Sequence, residues 1–201
     1  MSDPDSELLL PAGPVRNSEL FSNYWLEKRL VLEPDWQELI PSAEPALQRL
    51  TALWSEQRLR VEKYGKEAPL EQAFIQPVLE ALGWKIYYQA HAKGRKPDYA
   101  LFATDEDYDR ALEKGYATDA FWEQAQVVAD AKAWHVPLDK PSRVDGRKEY
   151  PPEQIEWYLS HTGVEWGILT NGRLWRLIPR VVPTGKPRFQ TFFEIDLPAL
   201  L

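Results

Sequence analysis

The segment "EWGILTNGRLWRLI", residues 165–178, sets two apolar runs on either side of Asn171-Gly172. Asn-Gly is the favoured two-residue hairpin connection, because the tight turn matching strand twist needs positive φ at both central positions. The segment therefore predicts an antiparallel strand pair and commits the chain to a sheet. Four more stretches read as strands: "WKIYYQA", "PDYALFA", "QVVADAKAW" and "QTFFEID". Between them lie helical patterns. In "PLEQAFIQPVLEALGW" the residues Leu70, Phe74, Val78 and Leu82 form a four-residue stripe, with Ile75 and Leu79 beside it. Pro77 should kink that helix and Gly83 should end it. "PPEQIEWYLSHTG" carries prolines suited to a first helical turn and ends at Gly163. Helix, three strands, helix, hairpin and strand together predict an α/β fold with a mixed sheet flanked by helices.

Residues 1–68 read as a helical extension packed on a core of residues 69–201. Pro4, Pro11, Gly13 and Pro14 mark an irregular leader, and Ser18 is a candidate N-cap for "SELFSNYWLEKRL". A longer helix is expected from Glu44, since Leu47, Leu50, Trp54 and Val61 recur at helical spacing. The closing "LPALL" looks like the start of another helix, as if the domain belongs to a longer protein. The stretch from Ala103 to Gln126, with seven acids and two bases, is expected to be a helical insertion.

The chain has 201 residues, enough for one sizeable core, and 44% of them are apolar. No apolar run approaches the ~20 residues that span a bilayer, and no signal peptide is evident, so a cytoplasmic location is expected. The absence of cysteine excludes disulfides and thiolate metal sites. A net charge of −7 argues against a simple polyanion binder. Bases are nevertheless gathered in two places: Arg173, Arg176, Arg180, Lys186 and Arg188 in residues 171–190, and Lys93, Arg95 and Lys96 in "HAKGRK". Each patch reads equally as a solvated face or as a flank for a phosphate backbone.

The chemistry is concentrated where charges interrupt apolar elements. In "QVVADAKAWH" an apolar strand ends with Asp130 and Lys132, which share one face because side chains alternate. Asp98 opens the preceding strand, and Glu71 sits at the edge of the buried face of the earlier helix. Three carboxylates against one ammonium are unfavourable in an apolar setting unless a cation joins them. Oxygen ligands without cysteine point to a hard ion, Mg²⁺ or Mn²⁺, over zinc. Such an ion serves phosphate chemistry, and Lys132 then has a role in positioning or deprotonating the attacking water.

Together "LEQAFIQPVLEALGW", "KPDYALF", "VVADAKAWHVPLDK", "PPEQIEWYL" and "GVEWGILTNGRLWRLI" resemble, in order, the Pro-Asp…Asp/Glu-x-Lys nuclease domains of type IIG restriction–methylation fusion enzymes. They are also similar to the amino-terminal domain of type I restriction subunits. The resemblance covers residues 69–201 and implies a restriction-endonuclease-like core. It implies a Mg²⁺-dependent endodeoxyribonuclease, with Mn²⁺ as a substitute and double-stranded DNA as substrate. Asp98 and Asp130 would be metal ligands, joined by the Ala131 carbonyl; Lys132 would be the catalytic lysine. Glu71 would be the supporting helix carboxylate, with Glu67 or Glu80 as alternatives, and Gln154 with Tyr158 would match a Gln-x-x-x-Tyr element. Many relatives have Glu where this chain has Asp130.

No methyltransferase signature occurs, so the resemblance places a methyltransferase and target-recognition region downstream or on an associated chain. Transient homodimerisation on DNA would permit a double-strand break. Two other functions fit the same residues: a non-catalytic nuclease-like module binding DNA or protein, and a repair-type nuclease. His91, His135 and His161 lack metal-ligand spacing, His135 being the one placed to approach DNA. Trp134, Trp157, Trp166 and Trp175 are expected in the core. "DKPSRVDGRKEY" is expected to be a loop that offers Arg143, Arg147 and Lys148 to a DNA backbone.

Overall fold

The computed structural model describes residues 13–144, 147–182, 185 and 188–201. The elements run β1 (Val15–Ser18), α1 (Pro34–Gln57), α2 (Glu67–Leu70), a π-helical turn (Glu71–Ile75) and α3 (Gln76–Ala81). Next come β2 (Lys85–Tyr88), β3 (Tyr99–Phe102), α4 (Asp105–Lys114), α5 (Asp119–Trp122), β4 (Val127–Ala131), β5 (Ser142–Val144) and β6 (Arg147–Glu149). The chain closes with α6 (Pro151–Thr162), β7 (Trp166–Thr170), β8 (Leu174–Pro179), β9 (Phe192–Asp196) and α7 (Leu197–Leu200). The fold is α/β: seven strands in the order β1-β9-β8-β7-β4-β3-β2 form a mixed sheet with helices on both faces, consistent with a restriction-endonuclease-like core. Among the described strand pairs β4 and β7 alone run parallel, as a strand–helix–strand crossover through α6 requires.

Alternation along β3 and β4 divides the core. Tyr99, Leu101, Val127 and Ala129 pack with Leu70, Phe74, Ile75 and Leu79 on one face. Ala100, Phe102 and Val128 pack with Ile155, Tyr158, Leu159 and Phe121 on the other. Gly167 lets α6 lie close on β7, since a Cβ there would stand 2.8 Å from Ile155 Cγ1. Pro77 has no N–H for the Ala73 carbonyl, and the chain answers by widening: Gln76 N–H bonds to the Glu71 carbonyl, five residues back. The extra residue rephases the helix. Ile75, Val78 and Leu79 are buried, whereas Leu82, expected on the stripe, is 51% exposed.

Four expectations are corrected. Residues 1–68 contribute more than helices, because β1 pairs with β9 at the sheet edge. Ser18 therefore belongs to a strand, and it is the Ser22 Oγ that accepts the Trp25 N–H at the following helical turn. Helix α1 begins at Pro34, ten residues before the expected start, and runs through Pro41 and Pro45 on its exposed half. The carbonyls those prolines leave unpaired face solvent, where water can satisfy them. The hairpin tip is Gly172–Arg173, one residue along from Asn171-Gly172. Asn171 pairs through its own N–H with the Leu174 carbonyl, and only Gly172 takes positive φ, +83°. The Asn171 Oδ1 accepts from the N–H groups of Arg173 and Leu174 and closes the turn instead. Finally, the segment expected as a loop contains the paired strands β5 and β6; its tip, 145–146, lies outside the described residues, as do the side chains of Arg143, Arg147 and Lys148.

Candidate metal-assisted hydrolytic site

The β3–β4 register sets Tyr99 opposite Ala129, so Asp98, one residue before β3, falls opposite Asp130. Carboxylates so placed on one face are near neighbours. Asp98 Oδ2 accepts the Ala131 N–H at 2.7 Å, tying the aspartate to the strand that carries its partner. A residue's N–H and C=O face the same neighbour in an antiparallel pair, so the Ala131 carbonyl turns to the Asp98 side as well. Lys132 continues the parallel ladder through its N–H to the Thr170 carbonyl, 2.8 Å. Its Nζ lies 2.7 Å from Asp130 Oδ2, an ion pair more than an aligned hydrogen bond, and both side chains are about 5% exposed or less.

Glu71 reaches the strand ends from the other face of the sheet. It is 4% exposed and opens the π turn. Its carboxylate lies against the Tyr99 hydroxyl and within range of Asp130 and Lys132. Glu71 Oε2 and the Tyr99 hydroxyl are buried without a well-aligned hydrogen bond to a described residue. Glu67, one turn earlier, lies close enough to Lys132 to act on it electrostatically. Glu80 is remote; it accepts from Gln76 on the far side of the helix.

Helix α6 supplies the third wall. Tyr158 is buried beside Asp130 and Asp98 and donates to the Lys96 carbonyl at 3.2 Å. Gln154, one turn before it, is half-buried with Oε1 enclosed and without a partner among the described residues. The loop after Lys132 is fixed by Trp134, stacked on Trp54 (centroids 6.1 Å) and edge-on to Phe74. His135 does not project freely, since its Nε2 is 2.9 Å from the Glu62 carbonyl.

The electrostatics reflect a carboxylate excess. Part of Asp98 reaches the surface, but its carboxyl lies deep; burial first, then Asp130 and Glu71, push it well above the usual carboxylate range. Burial, aided by Asp130, likewise raises Glu71, while Tyr99 and Lys132 oppose the rise. Burial alone would lower Lys132, but Asp130, with Glu67 and Asp98, outweighs it and the pKa rises, so the side chain stays an ammonium.

These residues fit a hard dication. Asp98, Asp130 and the Ala131 carbonyl offer oxygen donors at one strand end, and Glu71 Oε2 stands buried nearby. Among the described residues no three His, Cys, Asp or Glu side chains close into a ready-made cage. Mg²⁺ does not need one, because it binds through one or two carboxylates, waters and substrate phosphate oxygens. The sequence marks Glu67 only as a substitute for Glu71; the structure brings both toward the site. Two of the basic groups expected in residues 171–190 are engaged elsewhere, Arg173 with Asp196 and Arg188 with Glu156 and Ser160, while Arg176 is wholly buried. No protein-family model, curated protein or solved structure matches the chain.

Proposed function

We propose that the chain is a Mg²⁺-dependent endodeoxyribonuclease domain of a restriction system, of the type IIG kind, with double-stranded DNA as substrate and Mn²⁺ as a functional substitute. The observation that carries this reading is the in-register pair Asp98 and Asp130, with Lys132 on the same strand end and Glu71 converging from the helix. A bound dication would supply a water of lowered pKa and neutralise phosphoryl oxygens. Asp98, Asp130 and the Ala131 carbonyl would hold it, and Glu71 would support a water ligand. Lys132, kept as an ammonium, donates hydrogen bonds and offsets charge on the phosphate in the transition state. Gln154 and Tyr158 line the wall where the phosphate backbone would enter.

A methyltransferase and target-recognition region on the same or an associated chain, transient dimerisation on DNA and a cytoplasmic location belong to the same proposal. Among the described residues no helix is long and apolar enough to cross a membrane. A second reading, a non-catalytic nuclease-like module, is favoured by one feature: the Asp130 and Lys132 charges pair with each other at 2.7 Å without a ligand. Supercoiled plasmid with Mg²⁺ or Mn²⁺ separates the two. The wild-type protein is expected to nick it and Lys132→Ala to lose at least a hundredfold in rate, the lower range for one transition-state donor. Equal nicking by both proteins rejects the assignment; binding without nicking by the wild type favours the second reading.

A further inference from the structure

Resting on the nuclease reading, we propose that the hairpin joining β2 to β3 is a clamp for DNA phosphates, with Arg95 and Lys96 as the contacting groups. The hairpin is built tightly. Ala92 and Arg95 exchange both backbone hydrogen bonds, at 2.8 and 2.9 Å, around Lys93 (φ +45°) and Gly94 (φ +87°). Positive φ at both central positions is the tight turn that asparagine or glycine normally fills. A lysine there sits in a sparsely populated backbone region and persists only when its surroundings hold it.

They do hold it. Lys93 Nζ pairs with Asp119 at 2.7 Å. The Trp122 indole N–H donates to the His91 carbonyl at 2.9 Å, and His91 N–H reaches the Tyr116 carbonyl. Arg95 lays its guanidinium 4.3 Å from the Trp157 ring centroid, and the His161 ring also stacks on Trp157 at 3.9 Å. A guanidinium held over an aromatic ring is steadied by that contact and retains N–H donors for a phosphate. Arg95 and Lys96 are both exposed.

The position connects this hairpin to the chemistry. Lys96 stands two residues before Asp98, within about 7 Å along the chain, and its carbonyl accepts from Tyr158 on the site wall. A strand whose scissile phosphate sits at Asp98 and Asp130 thus meets two cations on the adjoining backbone. The protein's net charge of −7 makes this local arrangement matter, since duplex DNA would otherwise be repelled.

The test is fluorescence anisotropy of the full chain on a labelled 30-base-pair duplex, with Ca²⁺ in place of Mg²⁺, from 50 to 200 mM salt. Arg95→Ala/Lys96→Ala is expected to reduce the slope of log K against log salt by about 2, close to 0.9 for each phosphate no longer neutralised, equally for unrelated sequences. Arg95→Lys should keep the slope and not the full affinity, because charge returns without the planar fork; if the double variant misfolds, Lys96→Ala alone should lower the slope by about 0.9. Mn²⁺ calorimetry on the same proteins keeps the two readings apart. Wild-type nicking with an unchanged slope in Arg95→Ala/Lys96→Ala overturns the clamp and leaves the nuclease. A reduced slope without Mn²⁺ binding or nicking upholds the clamp and removes the catalytic assignment. Absence of duplex binding by the wild type overturns the clamp outright.

Discussion

Two clusters of charges on this sheet each have a buried centre, Arg176 with Glu194 in one and Asp130 with Lys132 in the other, and they are built on opposite terms. On β8 and β9, Arg176 is wholly buried, donates to Glu194 Oε2 through Nε at 2.9 Å and pairs with Asp139 at 2.8 Å. Its guanidinium covers the Phe192 ring at 3.9 Å, and Arg16 reaches the same two carboxylates at 3.8 and 3.9 Å. Two cations face two anions. At the ends of β3 and β4, Asp98, Asp130, Glu71 and nearby Glu67 gather around Lys132, the one buried cation of that cluster among the described residues. A compensated cluster holds the strap containing Asp139 against the sheet. An uncompensated one is costly by itself, which is the condition under which a cationic ligand binds.

The contrast can be broken by mutation. Arg176→Ala should have the largest effect, a loss of about 4 kcal/mol, because Glu194 is then left buried with only the half-exposed Arg16 at 3.9 Å; urea unfolding measures it, and a loss below ~1 kcal/mol would mean that Arg16 or water compensates Glu194. Gly167→Ala should cost about 2 kcal/mol through overpacking against Ile155. Because α6 must shift, nicking should fall more than stability predicts, and a variant stable to within a few tenths of a kcal/mol would show that Ile155 yields freely.

Asp98→Asn should act in the other direction. Removing one carboxylate is expected to stabilise the metal-free protein by something on the order of 1 kcal/mol at pH 7–8, the scale of relieved repulsion in a partly hydrated site. The sign with pH follows from the raised pKa of Asp98. Its folded form favours the protonated acid, so the favourable contribution is full below the unfolded value near 3.9 and is lost as pH rises through the folded value. The gain from Asn should therefore shrink on acidification. Thermal melts at pH 4 and pH 8 decide it, and a gain independent of pH would contradict the carboxylate excess.

Much of this was legible in the chain. Strands β2, β3, β4, β7, β8 and β9 announce themselves by composition, and Asp98, Asp130 and Lys132 by being charged in apolar runs. Their convergence needed only period-two alternation and the antiparallel order. Glu67 is hard to single out because a helix carboxylate carries no sequence mark of the neighbours the fold will give it. The π turn was hidden by Pro77, which signals a defect but not whether the helix kinks, splits or widens. Strand β1 is four residues long, VRNS, with alternation too brief to read, and its partner β9 lies at the opposite end of the chain. Arg176 looked like a surface base because nothing local reveals that Glu194 and Asp139 surround it.

The most direct measurement of the carboxylate-excess account is Mn²⁺ anomalous diffraction from soaked crystals, in parallel for wild type and Asp98→Ala. The wild type should show one or two peaks coordinated by Asp98, Asp130 and the Ala131 carbonyl, none beside Arg176, and the variant none at either place. A wild-type crystal with Asp130 still paired to Lys132 and no Mn²⁺ at the strand ends would contradict the account.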